Sequence, residues 1–482
     1  MLRSVLLFIF ILSAREFANA QSSYSKPYSL KFSADTVKHT IGILTTELSI
    51  KHPGFYRYQS RATFSQYIDS IKETIKDSLT IMESYRKLKL IIANIHCLHT
   101  GLSLSREFRD SLNQLPNLFP FQLYIDSHSA FIVKNYSSDH SILPADEIVS
   151  INGQPMGTII DQLLPLISSD GNNLTLKYEA LNHQFPTWYR ILDVTGEFTL
   201  VIKHSGLEKS VKVSASKYSD IAETDFLIEP VWTNQLLFRI QNNTGFLTIH
   251  SFAKTDIKKS KQNFKEFIDQ SFAELKTKGI NNLIVDLRNN TGGSDPYAAY
   301  FTSYFFNQPF RYWDRIEVTE AIAKEIKGIT TVFYKKPLHK ESMWLWQKGK
   351  HTDEFDFYEE QKPAKNNYSG NTYILMNGFF MSSCSDVTAV LSYNKKAIFI
   401  GEETGGAYQG NNSGMIPETK ILPFNFTLTV PLQEYFNAVD TSKNIGRGTM
   451  PDFPVHLTAN ERITGEDKSL GLALELIKAN TR

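Results

Sequence analysis

The groups best able to do chemistry gather in Met376–Asp386, MNGFFMSSCSD, where Ser382, Ser383, Cys384, Ser385 and Asp386 follow one another. A short apolar run, Thr372–Leu375, precedes them and the apolar spacing of Val387–Leu391 follows, which predicts strand, sharp turn and helix. A hydroxyl at such a turn sits at a helix N-terminus, where unpaired backbone N–H groups favour a developing oxyanion. Serine and aspartate are also preferred helix caps, so this stretch alone is compatible with a nucleophile or with a cap. In Leu283–Gly293, LIVDLRNNTGG, an apolar strand runs into Gly292 and Gly293, which can turn amide N–H groups toward a ligand. Ligand sites of open α/β sheets collect at such strand ends. A third stretch, Ile91–Leu102, brings His96 and His99 to the end of an apolar run. A histidine can serve as a general base, although one beside an apolar run is also a common core residue. The two histidines have no carboxylate neighbour to complete a ligand set and no H-E-x-x-H occurs, so no metal or other cofactor is expected.

These groups need elements to hold them. From about Ser33 to Ala93 apolar residues recur at helical spacing, as in Ile71, Ile75, Leu79 and Met82, with Pro53-Gly54 as a break. From Phe119 to Ser214 the pattern changes to strands, among them Phe131–Val133, Phe198–Lys203 and Val211–Ser214. Beyond Leu237 a strand at Gly245–Ile249, a helix at Ser260–Lys278 and a strand at Leu283–Leu287 give a β-α-β rhythm and hence a mostly parallel sheet. Tyr334–Lys365 is charged, aromatic and without a clear period, the length of a lid or binding loop. Val455–Leu457 reads as a strand and Leu470–Lys478 as a closing helix.

The composition bounds the partners. With 51 basic and 50 acidic residues there is no field to attract nucleic acid. Met1-Leu2-Arg3, the apolar Val5–Leu12 and Ala18-Asn19-Ala20 read as a cleavable export signal ending near Ala20, so the protein is expected in the bacterial periplasm or outside the cell. No stretch is expected to span a membrane stably. Cys97 and Cys384 are the only cysteines, and two buried free thiols are expected rather than a disulfide scaffold.

The spacing D-x-R-x-N-x-G-G (Asp286, Arg288, Asn290, Gly292, Gly293), the serine turn and the later G-E-x-T-x-G loop (Gly401, Glu402, Thr404, Gly406) together resemble the C-terminal processing, or tail-specific, serine peptidases. The likeness extends to Met450-Pro451-Asp452, and the closest flavour is the subgroup similar to the tricorn protease core, which uses a histidine base. Leu143–Met156, LPADEIVSINGQPM, resembles the PDZ module, with Ala145 where that module has glycine. The resemblance implies a signal peptide at 1–20, an N-terminal helical domain at 21–117 and a PDZ-like β-rich domain at 118–218 with an insertion in Ile167–Thr195. It further implies an α/β catalytic domain at 225–482, with a mixed, mostly parallel sheet and a ClpP/crotonase-like core. Counting three residues back from Asp386, it implies Ser383 as nucleophile, with Ser382 and Ser385 as rivals, and His99 as base. Gly292, Gly293 and Cys384 would form the oxyanion hole, and Asp146, Ile148 and Ile151 of the PDZ-like module would bind substrate. The implied substrates are polypeptides, extended or unfolded segments and C-terminal tails.

Three positions depart from the family. Ala407 stands where the bacterial processing enzymes carry a catalytic lysine, which excludes a Ser–Lys dyad by that alignment. Cys97 and Leu98 replace the acidic or glycine residues before the motif histidine. The slot for a glutamate that orients the histidine holds Asn444, Ile445, Gly446 and Arg447, none of them a carboxylate. A catalytically inactive relative that binds peptide or an apolar ligand in the same cleft is therefore the alternative. A lipase-like hydrolase is disfavoured because no G-x-S-x-G occurs.

Overall fold

A computed structural model describes residues 30–222, 232–347, 349 and 359–480; the expected export signal and part of the Tyr334–Lys365 loop lie outside them. The chain begins with helices α1 (Ala34–Lys51), α2 (Arg61–Glu73) and α3 (Ile81–Ala93), each capped by a hydroxyl: Ser33, Ser60 and Thr80. At Thr80 the capping is reciprocal, since the Glu83 N–H donates to Thr80 Oγ1 and the Glu83 carboxylate accepts from the Thr80 N–H. Leu88, Ile91 and Ile92 of α3 are fully buried, each worth about 1.5–3 kcal/mol by apolar burial. That anchors the helix whose end delivers His99.

The helical front does not pack as a separate body. Its buried residues Val37, Ile41, Leu44 and Leu88 belong to one continuous core with Leu247, Phe272, Val285, Ile374 and Val390 of the region beyond Leu236. The segment from Phe119 to Ala215 has a second core of its own. There five antiparallel strands lie in the order Phe121–Asp126, Ser129–Asn135, Glu147–Ile151, Glu197–His204 and Leu207–Ser214. Asn152 and Gly153, both at positive φ, turn the chain between Ile151 and Gln154 in the two-residue hairpin that Asn-Gly favours. The expected insertion contains helix α4 (Thr175–Leu192), kinked at Gln184 two residues before Pro186.

The sheet that carries the site has six strands: β1 (Leu236–Gln241), β2 (Thr244–Ile249), β3 (Asn282–Asp286), β4 (Asn371–Met376), β5 (Ile398–Gly401) and β6 (Phe453–Pro454). The β1–β2 pair is antiparallel and every other pair parallel, as the β-α-β rhythm predicts. Phe264–Thr277 forms helix α5, with Phe264, Ile268, Phe272 and Leu275 buried. The last strand differs from expectation: Phe453–Pro454 pairs with β5, and Val455–Leu457 lies beyond it. Helix α6 (Ser383–Tyr393) leaves the loop after β4, and helix α7 (Lys468–Asn480) covers the face formed by Ile284, Tyr373, Leu375 and Ile400.

Among the described residues no helix is long and apolar enough to cross a membrane, and no cluster of His, Cys, Asp and Glu is placed to hold a metal. Cys97 and Cys384 are both buried and free.

Candidate active site

The parallel strands β3 and β4 end side by side, with Asp286 in register with Leu375, so their loops must meet. The D-x-R-x-N-x-G-G residues divide the work of shaping the first loop. Arg288 bridges Asp286, at 2.6 Å, and Asp467 at the foot of α7, at 2.7 Å, which ties the strand end to the closing helix. Asn290, fully buried, donates from Nδ2 to the Ile249 carbonyl and accepts the Gly292 N–H on Oδ1, at 2.9 Å each. Gly292 has φ 93° and Gly293 φ 141°, backbone that L-residues rarely adopt.

The two loops are joined directly. The Asn377 and Asn289 amides face each other, with Asn377 Nδ2 donating to Asn289 Oδ1 at 2.8 Å and the Asn289 N–H donating to Asn377 Oδ1 at 3.0 Å. The Met381 N–H donates to the Asn290 carbonyl at 3.3 Å. At Ser382 the chain turns sharply from loop into helix, with φ 57° and ψ −138°. A side-chain-bearing residue in that region costs about 1–3 kcal/mol and persists only where neighbours over-determine it. It is the geometry of a nucleophile elbow, reached here without a G-x-S-x-G sequence. A methyl group on Gly292 would lie 2.7 Å from Ser382 Cβ, so the glycine loop abuts the turn.

His99 arrives from the other side. Beyond α3 the chain turns at His96, φ 59°, and Gly101–Ser103 then pairs antiparallel with Thr427–Thr429. The Gly101 N–H donates to Thr429 Oγ1 at 3.0 Å, and Thr100 Oγ1 lies 2.8 Å from His52 Nε2. So held, His99 places Nε2 3.2 Å from Ser382 Oγ. Burial pushes the imidazole pKa down to about 4, so the ring is neutral at pH 7. The one interaction that opposes burial is a hydrogen bond from the ring to the Asn412 backbone, and among the described residues no side chain is bonded to Nδ1. Among the described residues no carboxylate is bonded to the ring. Arg447, in the slot where the family has a glutamate, is instead paired with Glu403 through Nε at 2.9 Å.

The serine turn is thus one residue out of register with the sequence expectation. His99 meets Ser382, whereas Ser383 is buried, with an Oγ that has no partner, and the Ser385 hydroxyl donates to the Phe380 carbonyl at 3.2 Å. The expected oxyanion donors shift in the same way. The Cys384 N–H is taken by the Met381 carbonyl, at 3.2 Å, and the Gly292 N–H by Asn290. The N–H groups of Gly293 and Ser383 have no acceptor among the described residues. Asp386, fully buried, accepts from Asn411 Nδ2 at 3.1 Å, and burial pushes its carboxyl up to about 7.

The PDZ-like expectation fares differently. Ile148 and Ile151 lie inside the second core, and Asp146 is buried, accepting the Leu143 N–H and facing His204 Nδ1. None of the three offers a surface to a substrate. The apolar alternation of a strand locates its buried face without telling a groove from a core. His96 likewise serves the turn, donating from Nδ1 to the Gly171 carbonyl at 2.8 Å.

A serine hydroxyl at a strained strand-to-helix turn, against a neutral imidazole, is the working arrangement of a serine peptidase. Residues 243–455 match the family model of peptidase family S41. No curated protein matches the chain in sequence. Among solved structures, mature CPAF complexed with lactacystin superposes with a TM-score of 0.62 at 14% identity, over 92% of this chain and 98% of that one. Mature CPAF alone gives 0.59 at 14% identity, over 89% and 94%. At that identity the likeness bears on the fold, and it covers nearly the whole of both chains.

Proposed function

We propose that the chain is an exported endopeptidase that cleaves extended or unfolded polypeptide segments by acyl-enzyme chemistry, with Ser382 as nucleophile and His99 as general base. The observation that carries this reading is the 3.2 Å approach of His99 Nε2 to Ser382 Oγ at the strained turn. A neutral ring with its proton on Nδ1 leaves Nε2 free to take the hydroxyl proton as Oγ attacks the scissile carbonyl. The carbonyl oxygen becomes an oxyanion facing the Gly293 and Ser383 N–H groups. His99 returns the proton to the leaving amine as the C–N bond breaks, and water then hydrolyses the ester by the same route.

Export rests on the first twenty residues and the Ala18-Asn19-Ala20 cleavage pattern. The lack of a side-chain partner for Nδ1 among the described residues, and Ala407, favour a second reading, a cleft that binds a chain segment without cutting it.

The test is cleavage of an unfolded protein at neutral pH by the chain from Gln21 onward, beside Ser382→Ala and Ser383→Ala. Cleavage by the parent and by Ser383→Ala, with none by Ser382→Ala, is the expected result. Cleavage by Ser382→Ala but not Ser383→Ala would return the nucleophile to Ser383. Cleavage by none would leave binding as the function. Because mature CPAF has been solved with lactacystin, that compound is a suitable competitor here, expected to block labelling of Ser382.

A further inference from the structure

We propose that Asp170 is a positioning residue that sets the distance between His99 and Ser382, by clamping the turn that carries the base to the loop that backs the nucleophile. The proposal rests on the peptidase reading above. Asp170 belongs neither to the helical front nor to the six-stranded sheet; it comes from the segment leading into α4. Its side chain is 1% exposed, and each of its oxygens takes one backbone N–H. Oδ1 accepts from Leu98 at 3.0 Å, the residue before His99, and Oδ2 from Ala407 at 3.3 Å.

Both ends of the clamp lead directly to the reacting pair. At one end the next residue, Gly171, doubles the hold: its N–H donates to the His96 carbonyl at 3.0 Å and its carbonyl accepts from His96 Nδ1. At the other end Gly406, beside Ala407, donates to the Phe380 carbonyl at 3.0 Å, and a methyl on it would lie 3.1 Å from the Ser382 nitrogen. An ionised carboxylate can accept both N–H groups at once. A protonated one presents a hydrogen on one oxygen and must release an N–H. The groups facing Asp170 are Arg57, which favours its charge, and Tyr58, Cys97 and Asp386, whose own ionisation its charge disfavours. Burial outweighs Arg57 and the two N–H bonds and holds the carboxyl up at about 6. The clamp is therefore set to loosen at a pH where His99, at about 4, is still neutral.

The test is the rate at which a fluorophosphonate probe labels Ser382 in the chain from Gln21 onward, followed from pH 4 to pH 8 in the parent, Asp170→Asn and Ser382→Ala. The parent is expected to lose labelling below about 6. Asp170→Asn, which turns an amide N–H toward one of the two donors, is expected to label about 100-fold more slowly, since small misplacements of reacting groups cost that much. Its acid limb should move down to the His99 range, a change that general destabilisation would not produce. A parent limb near 4, or a variant equal to the parent in rate and profile, overturns the role of Asp170 and leaves Ser382 in place. No labelling of the parent, or equal labelling of Ser382→Ala, overturns the nucleophile instead. If Asp170→Asn shows no cooperative thermal unfolding, the parent profile alone decides, supporting the clamp with a limb near 6 and overturning it with one near 4.

Discussion

Ser382 and Ser383 are chain neighbours with opposite fates: the first lies against His99, and the second is buried with a hydroxyl that has no partner among the described residues. The cause is the backbone of Ser382, whose positive φ ends the loop and starts α6 with Ser383 as its first residue. The consequence for Ser383→Ala is unusual for a buried serine in an active site. Removing an unsatisfied buried hydroxyl costs nothing in lost bonds, so thermal stability should be unchanged or higher by up to about 1 kcal/mol, with turnover within a few-fold of the parent. Ser382→Ala should lose all turnover above background and, since it gives up the contact with His99 Nε2 while keeping the strained backbone, unfold at the same or a slightly lower temperature. Differential scanning calorimetry with turnover measurements on both variants checks the contrast.

The glycine loop is predicted to be sensitive at two points for two reasons. In Gly292→Ala the new methyl would lie 2.7 Å from Ser382 Cβ and 3.0 Å from the Ser383 nitrogen, so it would push on the nucleophile and on one oxyanion donor together. In Gly293→Ala the methyl would collide with the Phe252–Ala253 backbone, and the free N–H would be turned away from the site. Both should lower kcat by about 10²–10³-fold, the usual cost of losing an oxyanion donor. Both should also lower the unfolding temperature, Gly293→Ala the more, because its methyl would come within 2.1 Å of the main chain. Equal kcat in parent and Gly293→Ala would remove that N–H from the oxyanion hole.

Much of this was legible in the sequence because it is local. The strands at Leu283–Val285 and Thr372–Leu375 declare themselves by apolar runs, and the GG turn by composition. The choice between Ser382 and Ser383 was not legible, since it depends on one backbone angle that residue types around a turn do not encode. A spacing counted from Asp386 points to Ser383 and the Cys384 N–H, whereas the hydroxyl that meets His99 is that of Ser382 and the N–H without an acceptor is that of Ser383. For Ile148 and Ile151 the resemblance to the PDZ module implies a binding face, but a motif match does not tell a residue that faces a ligand from one that the core buries. Asp170 had no local signal at all. Its partners, Leu98 and Ala407, are far away in the chain, and only the folded backbone brings their N–H groups to one carboxylate.

Asp386 makes a separate prediction about pH and stability. Burial raises its carboxyl from 3.8 to about 7 in the folded protein. The folded state thus binds that proton more tightly than the unfolded chain. The stability it contributes is fully present below the unfolded value and is lost as pH rises through about 7. Asp386→Asn keeps an oxygen to accept from Asn411 Nδ2 and has no proton to lose. Unfolding free energies from denaturant titration, parent minus variant, should therefore fall between pH 4 and pH 8, by an amount on the order of a few kcal/mol. Taking the difference removes His52 and His99, which burial lowers to about 3 and about 4 and which work in the opposite direction. A flat difference would mean that Asp386 is ionised throughout.

Replacing Arg447 by glutamate looks, from the family pattern, like restoration of the missing orienter. The structure predicts the reverse. The Arg447 side chain is directed at Glu403, which also accepts the Gly448 N–H at 2.7 Å, so the loop is held by a carboxylate already present and already occupied. Arg447→Glu would set two carboxylates against each other, exchange a charge-assisted bond for repulsion, and leave His99 Nδ1 as it was. Arg447 is 48% exposed, so solvent screens the pair and the expected loss is moderate, about 1–2 kcal/mol. Unfolding temperature and the rate of Ser382 labelling should both drop in Arg447→Glu, and Arg447→Gln should fall between it and the parent. Faster labelling in the glutamate variant would show that position 447 reaches the imidazole, and the orientation of the whole 440–448 loop would then have to be redrawn.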